Sequence, residues 1–298
     1  MKAIHSAAIL RDTLHGPRYE EKRIGLVPTM GAFHAGHLSL MREAKEEHHL
    51  VVVSLFVNPT QFDDPEDLDR YPRTLVDDME KAEAAGVDIL FHPTVEEIYP
   101  EGFDTRVEVG EIAGRLEGEG RPGHFTGVAT VVAKLLNIVQ PHTAYFGLKD
   151  YQQSLVVRRM VADLNLPVEV VCMPTVREPD GLAMSSRNQR LDPDGRTRAA
   201  GLYEVLGRLR DELLAADKGA PTASIIEAGR MKLEKDHGLE VEYLLVAHPD
   251  TLAPLPKVVR TMVLLAAVRV GGVRLIDNVE IHRTHGGPQA RAAAGAAG

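Results

Sequence analysis

The 298-residue chain is 44% hydrophobic and 26% charged, the balance of an ordinary globular protein with room for two domains. Its net charge of -9 argues against general nucleic-acid binding, so a small anionic substrate would need a local pocket of placed Lys, Arg and His residues. A single cysteine, Cys172, excludes an intrachain disulfide and a thiolate metal cluster and suits a reducing cytoplasm, while no apolar run approaches the ~18 residues of a membrane span and no export signal is expected.

Residues 1–22 read as an entry strand or helix without defensible chemistry. Residues 24–27 form a short apolar run suited to a buried parallel strand, and Pro28 is expected to end it because proline cannot donate to a ladder. Met30, Gly31 and Ala32 form a turn, after which Leu38, Leu40, Met41 and Ala44 recur at helical spacing. A helix therefore begins near two histidines. Its first N–H groups lack partners and carry the positive end of the dipole, which favours phosphate. His34 and His37 share one face and can donate to the same anion, and Gly36 lets a ligand approach the backbone.

Residues 50–57 are a β-branched run that reads as a central parallel strand, making 24–57 a βαβ unit. That unit predicts an α/β fold: a Rossmann-like, doubly wound parallel sheet with its ligand beyond the carboxyl ends of the strands. Asn58 and Gln61 sit at such an end, where their amides can meet a small polar substrate; Asn-Pro is also ordinary turn chemistry. Residues 63–69 read as an acidic mobile loop. A helix over 75–85 follows, ended by Gly86, and the dipole alone explains Asp77 and Asp78 in its first turn. Residues 87–91 are a further strand, and 105–109 an edge region of the kind that pairs across a dimer axis. The glycine-rich segment 118–127 is either a loop over the site or a long turn, and 128–139 a largely buried helix.

The pattern of strand, glycine and helix returns at 143–153, with Gly147 allowing close backbone approach and Lys149 offering a mobile positive charge on the same side as Gln153. A strand over 168–173 closes a first domain spanning 1–175. In 182–188, two hydroxyls and a guanidinium in succession can wrap a polyphosphate. Asp192 is expected to cap a long helix to about Ala216, a second helix covers 222–235, and strands at 241–246, 261–270 and 274–276 complete a second, smaller α+β domain over 176–285, expected to act as a lid. Residues 286–298 read as a disordered Gly/Ala-rich tail.

Six stretches in order, Pro28-Thr-Met-Gly-Ala-Phe-His-Ala-Gly-His37, Phe56-Val-Asn-Pro-Thr-Gln-Phe62, Tyr71-Pro-Arg-Thr74, His124-Phe-Thr-Gly127, Phe146-Gly-Leu-Lys-Asp-Tyr-Gln-Gln153 and Ala183-Met-Ser-Ser-Arg-Asn188, resemble the pantothenate synthetase family. The resemblance runs nearly the whole chain and extends to the nucleotidyltransferase superfamily. There the H-x-G-H and Lys-Met-Ser-Lys-Ser signatures of class I aminoacyl-tRNA synthetases correspond to His34 to His37 and Met184 to Arg187. Ala183 stands where those synthetases have lysine, so Arg187 would supply the charge.

The resemblance implies an AMP-forming ligase that condenses (R)-pantoate with β-alanine through a pantoyl-adenylate, on the coenzyme A pathway, as a cytoplasmic homodimer using ATP and Mg2+ and with no nucleic-acid or membrane partner. It implies ATP contacts from Met30, Gly31, His34, Gly36 and His37, from Gly147, Lys149 and Asp150, and from Val176, Met184, Ser185, Ser186 and Arg187. Catalytic roles would fall to His37, as acid, and to His34, Lys149, Ser185, Ser186 and Arg187. Gln61 and Gln153 would bind pantoate, with Asn58 beside them. Magnesium would fall on Asp77 and Asp78, yet the family's neutral ligand one turn later is here Lys81, whose ammonium cannot coordinate a metal. The rival readings are another adenylyltransferase of the superfamily and a non-catalytic nucleotide-binding regulator.

Overall fold

Six strands of the computed structural model, which describes residues 1–283, pair in parallel: β1 (Lys2–Ile4), β2 (Ile24–Thr29), β3 (Leu50–Leu55), β4 (Ile89–Phe91), β5 (Thr143–Gly147) and β6 (Glu169–Met173). Their order is β1-β4-β3-β2-β5-β6, so the winding reverses between β2 and β5. That reversal opens the crevice in which a doubly wound sheet binds its ligand. Pro28 does not end β2. It pairs with Ser54 of β3 but lies beyond the last pair with β5, Leu26↔Ala144, so no ladder bond is missing on that side.

Alternation along the strands sends side chains into two apolar layers. Leu26 and Val52 join α1 (Ala7–Tyr19) on one face, whereas Val27, Val51 and Val53 join α2 (Ala35–Glu47) on the other. Burial of a side chain such as Leu26 or Phe91, both without exposed surface, stabilises the fold by about 1.5–3 kcal/mol each. Residues 63–69, read as a loop, contain α3 (Pro65–Asp69): Pro65 fits the first helical position and Asp64 accepts from the Glu66 N–H at 2.9 Å. Then come α4 (Leu75–Ala84), α5 (Val95–Ile98), α6 (Glu117–Gly120), α7 (His124–Val139) and α8 (Tyr151–Asp163). Residues 105–109 form no strand; Val107 spends its N–H on the Thr130 hydroxyl at 3.0 Å instead of a ladder partner.

Gly127 on α7 marks a close approach. A Cβ built there would lie 2.4 Å from the Thr60 carbonyl oxygen and 2.8 Å from the Gln61 Cα. Both obstacles are backbone, so Gly127→Ala should force α7 and the 59–61 turn apart. We expect a loss of about 1–3 kcal/mol in urea unfolding, together with weaker binding of whatever Gln61 holds; a variant with wild-type stability would show that the two elements are not in fixed contact.

The chain divides into two compact units, Met1–Arg190 and Leu191–Gly298, rather than at 175/176. Residues 176–190 stay with the first unit because Arg187 and Arg190 both bind Asp67 of α3, at 2.8 and 2.6 Å, and Ser186 donates to the Tyr71 hydroxyl at 3.4 Å. In the second unit the expected long helix is two: α9 (Pro193–Ala199), which Asp192 caps through the Gly195 N–H at 2.6 Å, and α10 (Gly201–Ala215). The break falls where a Gly201 Cβ would sit 2.1 Å from the His237 ring. After α11 (Ala223–Lys235), β7 (Glu240–Ala247), β8 (Thr261–Val270) and β9 (Val273–His282) form an antiparallel sheet in that order. Gly271 and Gly272, at φ of +56° and +75°, make the two-residue turn between β8 and β9. The expected tail, 286–298, lies outside the described residues. Among the described residues no helix is long and apolar enough to cross a membrane.

Candidate active site

A cleft of about 220 Å³ lies at the carboxyl ends of β2 and β5, within the first unit. It gathers Met30, His34, Gly36 and His37 from the turn into α2, then Asn58 and Gln61 from the turn after β3. From beyond β5 come Gly147, Lys149, Asp150 and Gln153, and from the following loop Val176 and Met184 to Arg187. Gly31 is not among the lining residues. Its φ of +87° serves the turn, where its N–H meets the Thr29 hydroxyl at 3.4 Å.

His34 is the N-cap of α2, and its Nδ1 accepts from the Gly36 N–H at 3.2 Å. The His34 N–H in turn donates to His37 Nδ1 at 3.4 Å. With Nδ1 accepting on both rings, each neutral imidazole carries its proton on Nε2. The rings lie 4.1 Å apart at 36°. Gly36 leaves room for this arrangement, since a Cβ there would meet the His34 ring at 3.0 Å. Burial lowers the His34 pKa to about 4, with the Lys149 charge adding to the effect, and lowers that of His37 to about 3, with His34, Lys149 and Lys81 adding to it. Both rings are thus neutral donors at pH 7. Imidazole nitrogen spectra should show Nε2–H tautomers for both, with neither ring titrating between about pH 5 and 8; an inflection near the ordinary histidine value would contradict the half-buried, hydrogen-bonded geometry.

The amides are ordered by their own hydrogen bonds. Asn58, 1% exposed, donates through Nδ2 to Gln61 Oε1 at 3.0 Å and to the Gly127 carbonyl at 3.2 Å. Gln61 Nε2 faces the Met30 sulfur at 3.2 Å. Lys149 lies 3.9 Å from Asp150. Arg187 is held by Asp67, and its N–H donates to the Ser185 hydroxyl at 3.2 Å.

Two groups to which the sequence assigned no individual role also line the cleft, the first of them in the 118–127 segment read as either a loop over the site or a long turn. His124 Nδ1 donates to the Gln61 carbonyl at 2.7 Å and its Nε2 meets Arg121 Nη1 at 3.1 Å, while Arg121 Nε binds Asp63 at 2.9 Å. Burial and the Arg121 charge lower the His124 pKa to about 4. The second is an apolar wall, Val128, Val131, Val132 and Leu135 of α7 with Phe146. The hydrophobicity of α7 was legible; that part of it faces a ligand cleft was not, because a buried helix and a lined wall have the same composition.

Asp77 and Asp78 do not fit a magnesium site. Asp78 is fully buried and accepts from the Ala32 N–H at 2.8 Å, the Phe33 N–H at 2.6 Å and the Thr74 hydroxyl at 3.1 Å. Asp77 is paired with Lys81 at 2.6 Å, and Lys81 also donates to the Phe33 carbonyl at 2.9 Å. Neither carboxylate lines the cleft, and no cluster of three or more His, Cys, Asp or Glu suited to a metal occurs among the described residues. The expectation is corrected: these acids brace the turn before α2.

The family model for pantoate-beta-alanine ligase matches residues 2–280. Pantothenate synthetases of Moorella thermoacetica and Thermus thermophilus are 48% and 50% identical to the chain, over 94% and 95% of it and 98% and 100% of their own lengths. The crystal structure of the Thermus thermophilus enzyme superposes with a TM-score of 0.88 at 49% identity, covering 95% of this chain and 100% of that one. A Francisella tularensis pantoate-beta-alanine ligase, solved with beta-gamma ATP and beta-alanine, is 36% identical with a TM-score of 0.77, over 94% and 97% of the two chains.

Proposed function

The chain belongs to the pantoate-beta-alanine ligase family, and we propose that its cleft holds ATP against His34 and His37 and (R)-pantoate against Gln61 and Gln153. It is an AMP-forming ligase that condenses pantoate with β-alanine through a pantoyl-adenylate. The observation that supports the division of the cleft is the pair of Nε2–H imidazoles at the start of α2, facing the same space as the amides of Gln61 and Gln153.

In the first half-reaction the pantoate carboxylate, already ionised near neutral pH, attacks the α-phosphorus and the bond to pyrophosphate breaks. No base is needed. Catalysis consists of alignment and of donors aimed at the phosphoryl oxygens and leaving group: the two imidazoles, the Ser185 and Ser186 hydroxyls, and the charges of Lys149 and Arg187. Met30, Gly36, Gly147, Asp150, Val176 and Met184 enclose the nucleotide. The apolar wall suits the two methyl groups of pantoate, and the amides suit its hydroxyls and carboxylate. In the second half-reaction the neutral β-alanine amine attacks the adenylate carbonyl and forms the amide C–N bond, the acyl C–O bond breaks so that AMP leaves carrying one former pantoate carboxylate oxygen, and one amine proton passes to solvent.

The same reading places the enzyme in the cytoplasm, supported by its single cysteine, on the coenzyme A pathway, and as a homodimer, for which the largely exposed segment 105–109 is the candidate contact. Magnesium is assigned to the phosphates of the nucleotide rather than to the chain. Exchange of labelled pyrophosphate into ATP that requires pantoate but not β-alanine tests the whole scheme. Exchange absent from the wild-type protein would sink it.

A further inference from the structure

Tyr99 follows α5, outside the lining of the cleft, and nothing in the proposed chemistry uses it. Its hydroxyl donates to Asn58 Oδ1 at 2.8 Å. The same oxygen also accepts from the Thr60 hydroxyl at 2.9 Å and the Thr60 N–H at 3.3 Å. The Thr60 N–H can only donate and the Gly127 carbonyl, which Nδ2 meets at 3.2 Å, can only accept, so a flip of the Asn58 amide would lose both bonds, and the Tyr99 hydroxyl adds a further donor on Oδ1. Nδ2 is then bound to face Gln61, and Gln61 must answer with Oε1. What Gln61 turns into the cleft is its NH2, beside the Met30 sulfur, a weak acceptor. Asn58 and Gln61 are 1% and 8% exposed, so neither amide can substitute water for these partners.

We propose that Tyr99 is a specificity-determining positioning residue: with Thr60 and the Gly127 carbonyl it holds the Asn58 amide that turns the Gln61 NH2 toward the substrate, so that the cleft selects a hydroxy acid by its acceptor oxygens. The inference rests on the reading that Gln61 holds pantoate. The ring is held from behind by Phe103 at 5.0 Å and Phe56 at 6.2 Å between centroids, and Lys134 lies 4.4 Å from the Phe103 centroid. A Tyr99→Phe change therefore keeps the packing and removes only the hydroxyl, with its bond to Asn58 and its 3.2 Å contact with the Thr60 hydroxyl. Asn58→Asp reverses the relay by a second route, replacing the Nδ2 donor with an acceptor that favours the Gln61 NH2 turning away from the cleft.

Pantoate-dependent pyrophosphate exchange, measured against pantoate and against ATP, tests this in Tyr99→Phe, Gln61→Ala, Asn58→Asp and the Tyr99→Phe/Gln61→Ala double variant. The relay requires the pantoate KM to rise about 3- to 10-fold in Tyr99→Phe, the worth of one buried neutral hydrogen bond, with kcat and the ATP KM moving less than about 2-fold. It requires a larger pantoate KM in Asn58→Asp, and no further rise when Tyr99→Phe is added to Gln61→Ala. An unchanged pantoate KM in Tyr99→Phe, an equal rise in the ATP KM, or full additivity in the double variant overturns it while leaving Gln61 in place. A Gln61→Ala enzyme with the wild-type pantoate KM overturns the substrate assignment beneath it as well.

Discussion

His37→Ala should slow adenylation by about two to four orders of magnitude, the range for removing a donor from an oxyanion-type site. The structure sharpens what is lost. With its pKa lowered to about 3 by burial and by His34, Lys149 and Lys81, the ring is neutral at pH 7 in the free enzyme. A neutral ring is no standing acid; an Nε2–H donor fixed by the His34 N–H contributes at every turnover. His37→Gln, which offers an amide donor that does not titrate, should therefore recover part of the rate, and the wild-type profile of kcat/KM should not decline as pH rises through the ordinary histidine range. A single-proton loss of activity above about pH 6.5 that disappears in His37→Ala would restore the acid role.

Stability carries the same signature. Both histidines have folded pKa values, about 4 and about 3, below the 6.5 of the unfolded chain, so between those limits the unfolded state binds more protons. Their contribution is fully present above about pH 6.5 and is lost as the pH falls through that window toward the folded values.

Local signals carried far in this sequence. The start of α2 at His34, the βαβ unit and the crevice at the carboxyl ends all follow from apolar period and a turn, because those depend on neighbours in the chain. What failed depends on partners far away. Residues 63–69 look like solvated acid until Arg187 and Arg190, more than a hundred positions on, converge on Asp67 and tie the 176–190 segment to the first unit. Residues 105–109 have strand composition, but Thr130 takes the Val107 N–H. Asn58 was legible as a cleft amide but not as the organiser of Gln61, since Tyr99 and Gly127 reach it from separate elements. The break at Gly201 requires His237 to be known as its neighbour.

Asp78 is the other residue whose loss should be large, and it separates a brace from a metal ligand. The turn it supports carries strain at Ala32, whose φ of +52° costs an L-residue about 1–2 kcal/mol, beside Gly31, which adopts its φ of +87° freely. Its carboxylate holds that turn through the Ala32 and Phe33 N–H groups, with Thr74 as third donor. Asp78→Ala strands two buried backbone donors at once, and we expect a loss of about 3–5 kcal/mol in urea unfolding. ATP affinity should fall with it, since Met30 and His34 flank the same turn. Asp78→Asn, which keeps one acceptor oxygen but offers its NH2 to a second donor, should show most of the effect. A brace acts without metal, so the loss should be equal in chelator and in magnesium. A variant of wild-type stability in chelator whose only defect is a weakened response to magnesium would return Asp78 to the metal and leave the turn before α2 without its support.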